Sequence, residues 1–215
     1  ITSMIPIKEF RENEYLIMTT KKGIVKKTAL VDYSNPRKGG IIAISLKDSD
    51  RLVTVKKTNG KQKYIIATKN GFAVRFDEKQ IRAIGRSGMG VRGIRLTSGD
   101  EVIGMELATN GDDTLLTITE NGYGKRSLIS EYRLIGRGGK GVINIKTLGR
   151  NGKVVAIKTV KDDHELMCIT KNGIIIRIMA SDISTIGRNT QGVTIMKMES
   201  KDKVINLARI INNNH

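Results

Sequence analysis

The chain has 215 residues, with 38 Lys and Arg against 21 Asp and Glu, which gives a formal net charge of +17. This length allows a substantial core, and so large a positive excess favours a polyanionic partner. A single cysteine provides no disulfide framework and fits a reducing compartment, while two histidines argue against a His/Cys zinc site.

The first residues, ITSMIPI, align with the segments that close later parts of the chain, such as RLVTVKKT from Arg51 and KVVAIKTV from Lys153. We therefore expect residues 1–9 to be the last strand of a preceding unit. No apolar run approaches the ~20 residues needed to span a bilayer, and no signal peptide begins at Ile1. These features predict a cytoplasmic protein with no membrane partner.

The rest of the chain consists of four similar units, which we place at about residues 10–59, 60–110, 111–161 and 162–211 of a single domain. The turn glycines are spaced by 48, 51 and 51 residues, at Gly23, Gly71, Gly122 and Gly173. The glycines that end a glycine-rich loop are spaced by 50, 51 and 51 residues, at Gly40, Gly90, Gly141 and Gly192. Repetition at this period indicates a repeat array.

Each unit is predicted to contain four strands. In the third unit they are LLTIT, YGKRSLI, VINIKT and VVAIKTV, all rich in apolar and β-branched residues. Asn121-Gly122 between the first two predicts a type I′ hairpin turn. Acidic residues recur where the second strand ends and could cap a short helical turn there: Asp32, Asp77, Glu78, Glu131 and Asp182. The pattern predicts an all-β, propeller-like array of four blades of about four antiparallel strands each, forming an incomplete ring.

Basic residues recur at fixed places in the units. Four positions after each turn glycine there is a cation, and two units add another just before it: Lys27, Arg75, Arg126 and Arg177, with Lys26 and Lys125. The glycine-rich loops carry a second set: Arg37, Lys38, Arg86, Arg137, Lys140 and Arg188. Side by side, the blades would align these cations into a curved basic stripe suited to duplex DNA. The alternative is a solvated surface with local ion pairs.

Several other chemistries find no support. The G-x-G-x-x-G matches at 88–93 and 136–141 fall in different registers of the repeat, and no predicted helix follows them, as a dinucleotide site requires. No Ser/His/Asp or Cys/His set is credible with two histidines, and Cys168, inside an apolar run, is expected to fill the core. Eight aromatic residues form no stacking ladder for single strands. We predict no catalytic residue, metal or cofactor.

Four stretches together resemble the C-terminal domain of the DNA gyrase A subunit: NPRKGGIIAISL from Asn35, TENGYGKRS from Thr119, RGGKGVINIKT from Arg137 and IGRNTQGV from Ile186. The resemblance implies a six-bladed β-pinwheel whose neighbouring blades exchange strands, with the four units as its last four blades. The family's signature heptad is Gln-Arg-Arg-Gly-Gly-Lys-Gly. Residues 137–141 match its last five positions, but Ile135 and Gly136 replace the first two.

The resemblance also implies a function. The domain would be a non-catalytic part of a type IIA topoisomerase that bends and wraps duplex DNA on a basic rim and so directs negative supercoiling. The parent would be an ATP-dependent enzyme in which two A subunits join two ATPase B subunits, giving an A2B2 heterotetramer. Two alternatives are the C-terminal domain of the topoisomerase IV A subunit and a propeller-type protein-interaction scaffold.

Overall fold

The chain folds into antiparallel β-hairpins joined by loops and short 3₁₀ turns. The computed structural model of the protein describes residues 2–199 and 201–210. The first two repeat units contain β1 (Tyr15–Thr20), β2 (Ile24–Ala29), β3 (Leu52–Thr58), β4 (Lys63–Thr68), β5 (Phe72–Asp77), β6 (Val91–Arg92) and β7 (Val102–Leu107). The last two contain β8 (Thr114–Thr119), β9 (Tyr123–Leu128), β10 (Val142–Ile143), β11 (Val154–Val160), β12 (Glu165–Thr170), β13 (Ile175–Met179), β14 (Val193–Thr194) and β15 (Val204–Ile210). The predicted all-β class is confirmed.

The hairpin turn that opens each unit differs from the predicted one. The N–H of Gly71 donates to the carbonyl of Thr68 at 3.0 Å, and Gly71 has a φ of +85°. Asn70 has no positive φ, so the predicted two-residue type I′ turn is wrong. The loop is a type I turn closed by a left-handed glycine. The hydroxyl of Thr68 favours this longer loop because it accepts the N–H of Phe72 at 3.2 Å.

Each of the first three sheets combines strands from two repeat units. Their strand orders are β3-β1-β2-β6, β7-β4-β5-β10 and β11-β8-β9-β14. The outermost strand in each comes from the following unit, as in the antiparallel pairing of Val91 with Val25. The predicted third strand of a unit is therefore only two residues long and belongs to the preceding sheet. Within the described residues the fourth sheet has three strands, β15-β12-β13.

A 3₁₀ turn follows the second strand of every unit, at Leu30–Tyr33, Glu78–Gln80, Ile129–Glu131 and Ala180–Asp182. The carboxylate of Asp77 accepts the N–H of Lys79 at 2.8 Å and caps the second of these turns, which confirms the short helical turn expected there. In the part of the chain that the structure describes, no helix is long and apolar enough to cross a membrane.

The apolar core lies in the seams between consecutive sheets. Ile17 of the first sheet shares a cluster with Ile66 of the second, and Leu116 of the third shares one with Leu166 and Cys168 of the fourth. Cys168 is fully buried, as predicted, and burial raises the pKa of its thiol to about 11. Because each sheet is covered by its neighbours, the stability of a blade depends on the next repeat unit.

Two predicted strands are not found in the described residues. Residues 2–9 form no strand, and residue 1 lies outside the description. Ile5 and Ile7 instead pack against the cluster around Leu16 and Met18. Residues 41–46 form no strand either. In later units this segment pairs with the preceding sheet, and among the described residues no sheet precedes the first one.

Candidate nucleic-acid interface

The second-strand cation of the second unit lies in the seam between two blades. Half-buried Arg75 on β5 donates through Nε to the carbonyl of Ala108 at 2.9 Å. Through Nη1 it donates to the carbonyls of Ile129 and Tyr132 at 3.2 and 3.3 Å. These last two carbonyls belong to the following unit, so Arg75 joins neighbouring blades. Burial lowers the pKa of this guanidinium.

The equivalent cations of the first and third units are buried in the same way. Lys27 donates through Nζ to the carbonyl of Glu78 at 3.2 Å. Arg126 donates through Nε to the carbonyl of Ile183 at 2.8 Å and forms an ion pair with Asp162. All three partners belong to the following unit. We call Lys27, Arg75 and Arg126 the seam cations. The expected surface stripe does not include them, because the following unit covers each one with carbonyl oxygens.

Two neighbouring lysines are also inside the protein. Lys26 donates to the carbonyls of Ala43, at 2.8 Å, and of Arg86. Lys125 is fully buried and donates to the hydroxyls of Ser127 and Tyr132. Burial lowers the pKa of Lys26 to about 8 and that of Lys125 to about 7. Neither ammonium faces the outside, which corrects the expectation that both belong to the surface stripe.

The second-strand cation of the fourth unit, Arg177, differs from its three equivalents. Its side chain is 61% exposed and forms an ion pair with Glu165 of the adjacent strand. No following unit covers it within the described residues. The contrast shows that the buried state of the seam cations depends on the next repeat unit.

The loop arginines lie nearer the surface. They are half-buried and share one contact, a hydrogen bond from Nη1 to a carbonyl of the preceding unit: Arg86 to Ile42 at 3.3 Å, Arg137 to Arg92 at 3.2 Å and Arg188 to Ile143 at 2.8 Å. A guanidinium has five N–H donors, so each keeps donors for an outside ligand. Among the described residues none of the three guanidinium groups forms an ion pair, although the backbone N–H of Arg188 donates to the carboxylate of Glu131 at 3.0 Å.

The remaining predicted cations are exposed on the loops. Arg37 and Lys38 lie in the loop of the first unit, and Lys140 lies at the end of the loop of the third. The ammonium of Lys140 is 5.1 Å from the ring centroid of Phe72, an aromatic contact that holds it above the second sheet. These side chains remain available to a phosphate.

Among the exposed cations that were not predicted from the sequence, three recur at one position of the repeat: Arg95, Lys146 and Lys197. Each follows an outermost strand and lies five residues after a loop-end glycine. The backbone N–H groups of Arg95 and Lys146 donate to carbonyls of the following loop at 2.9 and 2.8 Å, which fixes where the side chains start. These three cations could have been predicted from the sequence, because they recur at the period of the repeat.

The loops and outermost strands contain basic residues but no acidic ones. We call residues 33–47, 79–99, 132–150 and 183–198 the rim segments. They contain three, five, five and two Lys or Arg, and no Asp or Glu. Several carboxylates are paired elsewhere, as Glu106 is with Lys56 and Lys158 at 2.9 and 3.1 Å. Such segregation concentrates positive potential on the rim.

The inner strands enclose a different kind of site. A cavity of about 1030 Å³ is lined by parts of β3, β11 and β15 together with Met4 and His164. Three of its lysines are paired with carboxylates, Lys56 and Lys158 with Glu106 and Lys57 with Glu14, so its positive charge is partly neutralised. In residues 2–199 and 201–210 there is no cluster of three or more His, Cys, Asp or Glu able to hold a metal ion.

Four sheets linked by exchanged outermost strands define the chain as a β-propeller-like repeat protein. Comparison with protein families gives a more specific result: residues 14–59, 62–109, 113–161 and 164–211 match the family described as "DNA gyrase C-terminal domain, beta-propeller". The chain belongs to this family.

Individual relatives agree with the family. The chain is 42% identical over 210 residues to the DNA gyrase A subunit of Salmonella typhimurium, and 42% identical over 212 residues to that of Staphylococcus epidermidis. Each match covers 98% of this chain, which spans 24% of the relative's length.

Solved structures show the same fold. The C-terminal domain of DNA topoisomerase IV superposes with a TM-score of 0.91 at 29% identity, covering 96% of this chain and 64% of that one. The DNA gyrase A C-terminal domain gives a TM-score of 0.85 at 27% identity, with coverage of 95% and 68%.

Proposed function

We propose that the chain is a non-catalytic DNA-binding domain that bends and wraps duplex DNA along its rim segments. The observation that carries the proposal is the recurrence of exposed, unpaired cations in segments that contain no acid, above all Arg95, Lys146 and Lys197. Phosphates of a duplex recur along its whole length, and each one that is neutralised releases counterions and adds affinity without reading sequence.

The repeated arrangement also suits bending. DNA is stiff, and bending a short site costs roughly 1 to 6 kcal/mol, which only a series of phosphate contacts can offset. The loop arginines support such a series, because Arg86, Arg137 and Arg188 occupy one position in three consecutive units and keep free N–H donors. The seam cations contribute differently: they hold neighbouring blades at a fixed angle and thereby set the curvature of the rim.

The salt dependence of DNA binding tests the proposal. Changing Arg95, Lys146 and Lys197 together to Gln removes three rim charges. If each contacts a phosphate, the slope of log K against log salt becomes shallower by ~0.9 per contact. The matched control changes three exposed lysines outside the rim, Lys61, Lys171 and Lys201, to Gln. Equal slopes for the two triple variants would refute a rim interface and favour the scaffold alternative.

A second candidate is the corresponding domain of topoisomerase IV, favoured by the TM-score of 0.91 to that structure. The 42% identity to two DNA gyrase A subunits favours gyrase. A supercoiling assay of the intact parent protein, together with its ATPase partner, separates the two. Introduction of negative supercoils into relaxed plasmid supports gyrase, and relaxation or decatenation alone supports topoisomerase IV.

The wider assembly is part of the same proposal. We place the chain in a cytoplasmic, ATP-dependent type II topoisomerase, in which the rest of the A subunit cleaves DNA and two A subunits join two B subunits. The chain spans 24% of the length of its curated relatives, so these activities are assigned to the parent. Reconstitution with the parent lacking this domain tests the assignment: supercoiling should be lost while DNA cleavage is retained.

A further inference from the structure

The turn that leads into the fourth strand of a unit has a different composition in the third unit. In the other three units an aspartate of this turn accepts a backbone N–H of the hairpin turn: Asp50 from Lys22 at 2.9 Å, Asp100 from Asn70 at 2.9 Å and Asp202 from Asn172 at 3.1 Å. In the third unit the N–H of Asn121 donates instead to the backbone carbonyl of Asn151 at 3.3 Å. This third-unit turn, residues 147–151, is also one residue longer, because Gly141 and Val154 are 13 residues apart and the equivalent pairs are 12 apart. It needs no aspartate and carries none.

The third-unit turn is held against the rim segment of the fourth unit. The side-chain amide of Asn151 is fully buried and donates to the carbonyls of Lys146 and Gln191 at 2.6 and 2.7 Å. Nε2 of Gln191 donates in return to the carbonyl of Leu148 at 3.3 Å. These bonds fix the conformation of the turn before any ligand binds, and they make the turn a continuation of the rim.

The turn presents an apolar side chain between two cations. Leu148 is 78% exposed and lies between exposed Lys146 and Arg150. The guanidinium of Arg150 donates through Nη2 to a carbonyl of the next rim segment at 3.2 Å and lies 4.7 Å from the ring centroid of Tyr123. It is thus oriented but keeps donors for an outside ligand. Residues 132–161 contain eight Lys or Arg and no Asp or Glu. A single exposed leucine is ordinary, but a leucine between two cations on a fixed turn suits a partner that alternates apolar and anionic groups.

We propose that the third-unit turn makes a DNA contact that the equivalent turns lack, with Arg150 on a phosphate and Leu148 against the carbon face of the neighbouring deoxyribose. The inference rests on the proposed function and adds a contact to it. The DNA backbone alternates phosphates and sugars, and contacts to both position a duplex without reading its sequence. The equivalent turns carry acids: Asp48, Asp50, Asp100, Glu101, Glu199 and Asp202. Because carboxylates repel phosphates, the duplex touches this edge of the rim at the third unit and stays clear of it at the other three.

Salt titration of DNA binding measures the two contacts separately. Arg150→Gln should make the slope of log K against log salt shallower by ~0.9, the value for one phosphate contact. Leu148→Ser removes no charge, so it should keep the wild-type slope but weaken binding by ~5-fold at every salt concentration. The matched controls, Lys171→Gln and Leu128→Ser, change exposed side chains outside the rim segments and should alter neither quantity. Equal Tm values check that all four variants are folded.

The titration also distinguishes failure of this contact from failure of the proposed function. If the change of Arg95, Lys146 and Lys197 to Gln makes the slope shallower while Arg150→Gln and Leu148→Ser bind like the wild type, the rim interface stands and the third-unit contact is overturned. The same result is expected if the turn binds a protein instead of DNA. If the wild-type protein does not bind duplex DNA, the proposed function and this contact both fail.

Fluorescence locates the contact. The chain has no tryptophan, so Leu148→Trp introduces a single indole at the turn. Bound duplex should shield this indole from the collisional quencher acrylamide, whereas the indole of Leu128→Trp should stay as accessible as in the free protein. Equal acrylamide quenching of Leu148→Trp with and without saturating DNA would contradict the contact.

Discussion

Arg126 offers the sharpest test of how the blades are held together. The change Arg126→Met keeps most of the side-chain volume but removes the hydrogen bond to the carbonyl of Ile183 and the ion pair with Asp162. Asp162 is 80% exposed, so its carboxylate regains water at little cost. The buried hydrogen bond from a charged donor contributes roughly 1.5 to 3 kcal/mol. We therefore expect a loss of about 2 kcal/mol, or a fall in Tm of roughly 4 to 8 °C for a domain of this size.

The assay compares Arg126→Met with Arg177→Met, which removes the equivalent but exposed arginine. A surface ion pair contributes about 0 to 1 kcal/mol, so the control should lower Tm by much less. Both variants are also titrated with duplex DNA at several salt concentrations, where Arg126→Met should keep the wild-type slope. If it instead made the slope shallower by ~0.9 with Tm unchanged, Arg126 would contact a phosphate and the seam assignment would be refuted.

Three further outcomes follow from buried or closely packed groups. Burial lowers the pKa of Lys125 from 10.5 to about 7, so the unfolded chain binds more protons between these values and stability rises with pH by up to ~1.4 kcal/mol per unit. Lys125→Met should flatten the increase in Tm from pH 7 to 9. Gly71→Ala and Gly173→Ala both put an alanine in the left-handed region, which costs ~1 to 2 kcal/mol. Only Gly71→Ala also places its Cβ against the carbonyl of Ile145. Urea denaturation should therefore show a lower free energy of unfolding for Gly71→Ala than for Gly173→Ala. Cys168 should react with a thiol dye only when the protein unfolds, since its pKa is about 11 and it is fully buried.

Periodicity in the sequence was sufficient to predict the repeat and the all-β class. Glycines spaced by 51 residues, such as Gly122 and Gly173, mark equivalent points that any blade must share. The exchange of strands between blades could not be predicted from these residues, because residues 142–143 have the same β-propensity whichever sheet they join. Strand exchange was expected only because the sequence resembles a known family.

The candidate interface was predicted less well for a related reason. Recurrence shows that a position is under a repeated constraint, but it does not show which one. Arg75 and Arg95 both lie at positions where cations recur in the repeat, yet Arg75 binds carbonyls in a seam and Arg95 is exposed. Only the packing of the following unit separates these two roles, since a charged residue is buried when hydrogen-bond partners replace water.

The most direct measurement of the central claim is lysine acetylation of the protein with and without duplex DNA, quantified residue by residue. We expect DNA to protect the exposed lysines of the rim segments, among them Lys38, Lys140, Lys146 and Lys197. DNA should leave the reactivity of Lys61, Lys171 and Lys201 unchanged, and buried Lys125 should stay unreactive with and without DNA. Equal protection of both exposed groups, or protection only outside the rim segments, would contradict a DNA path along the rim.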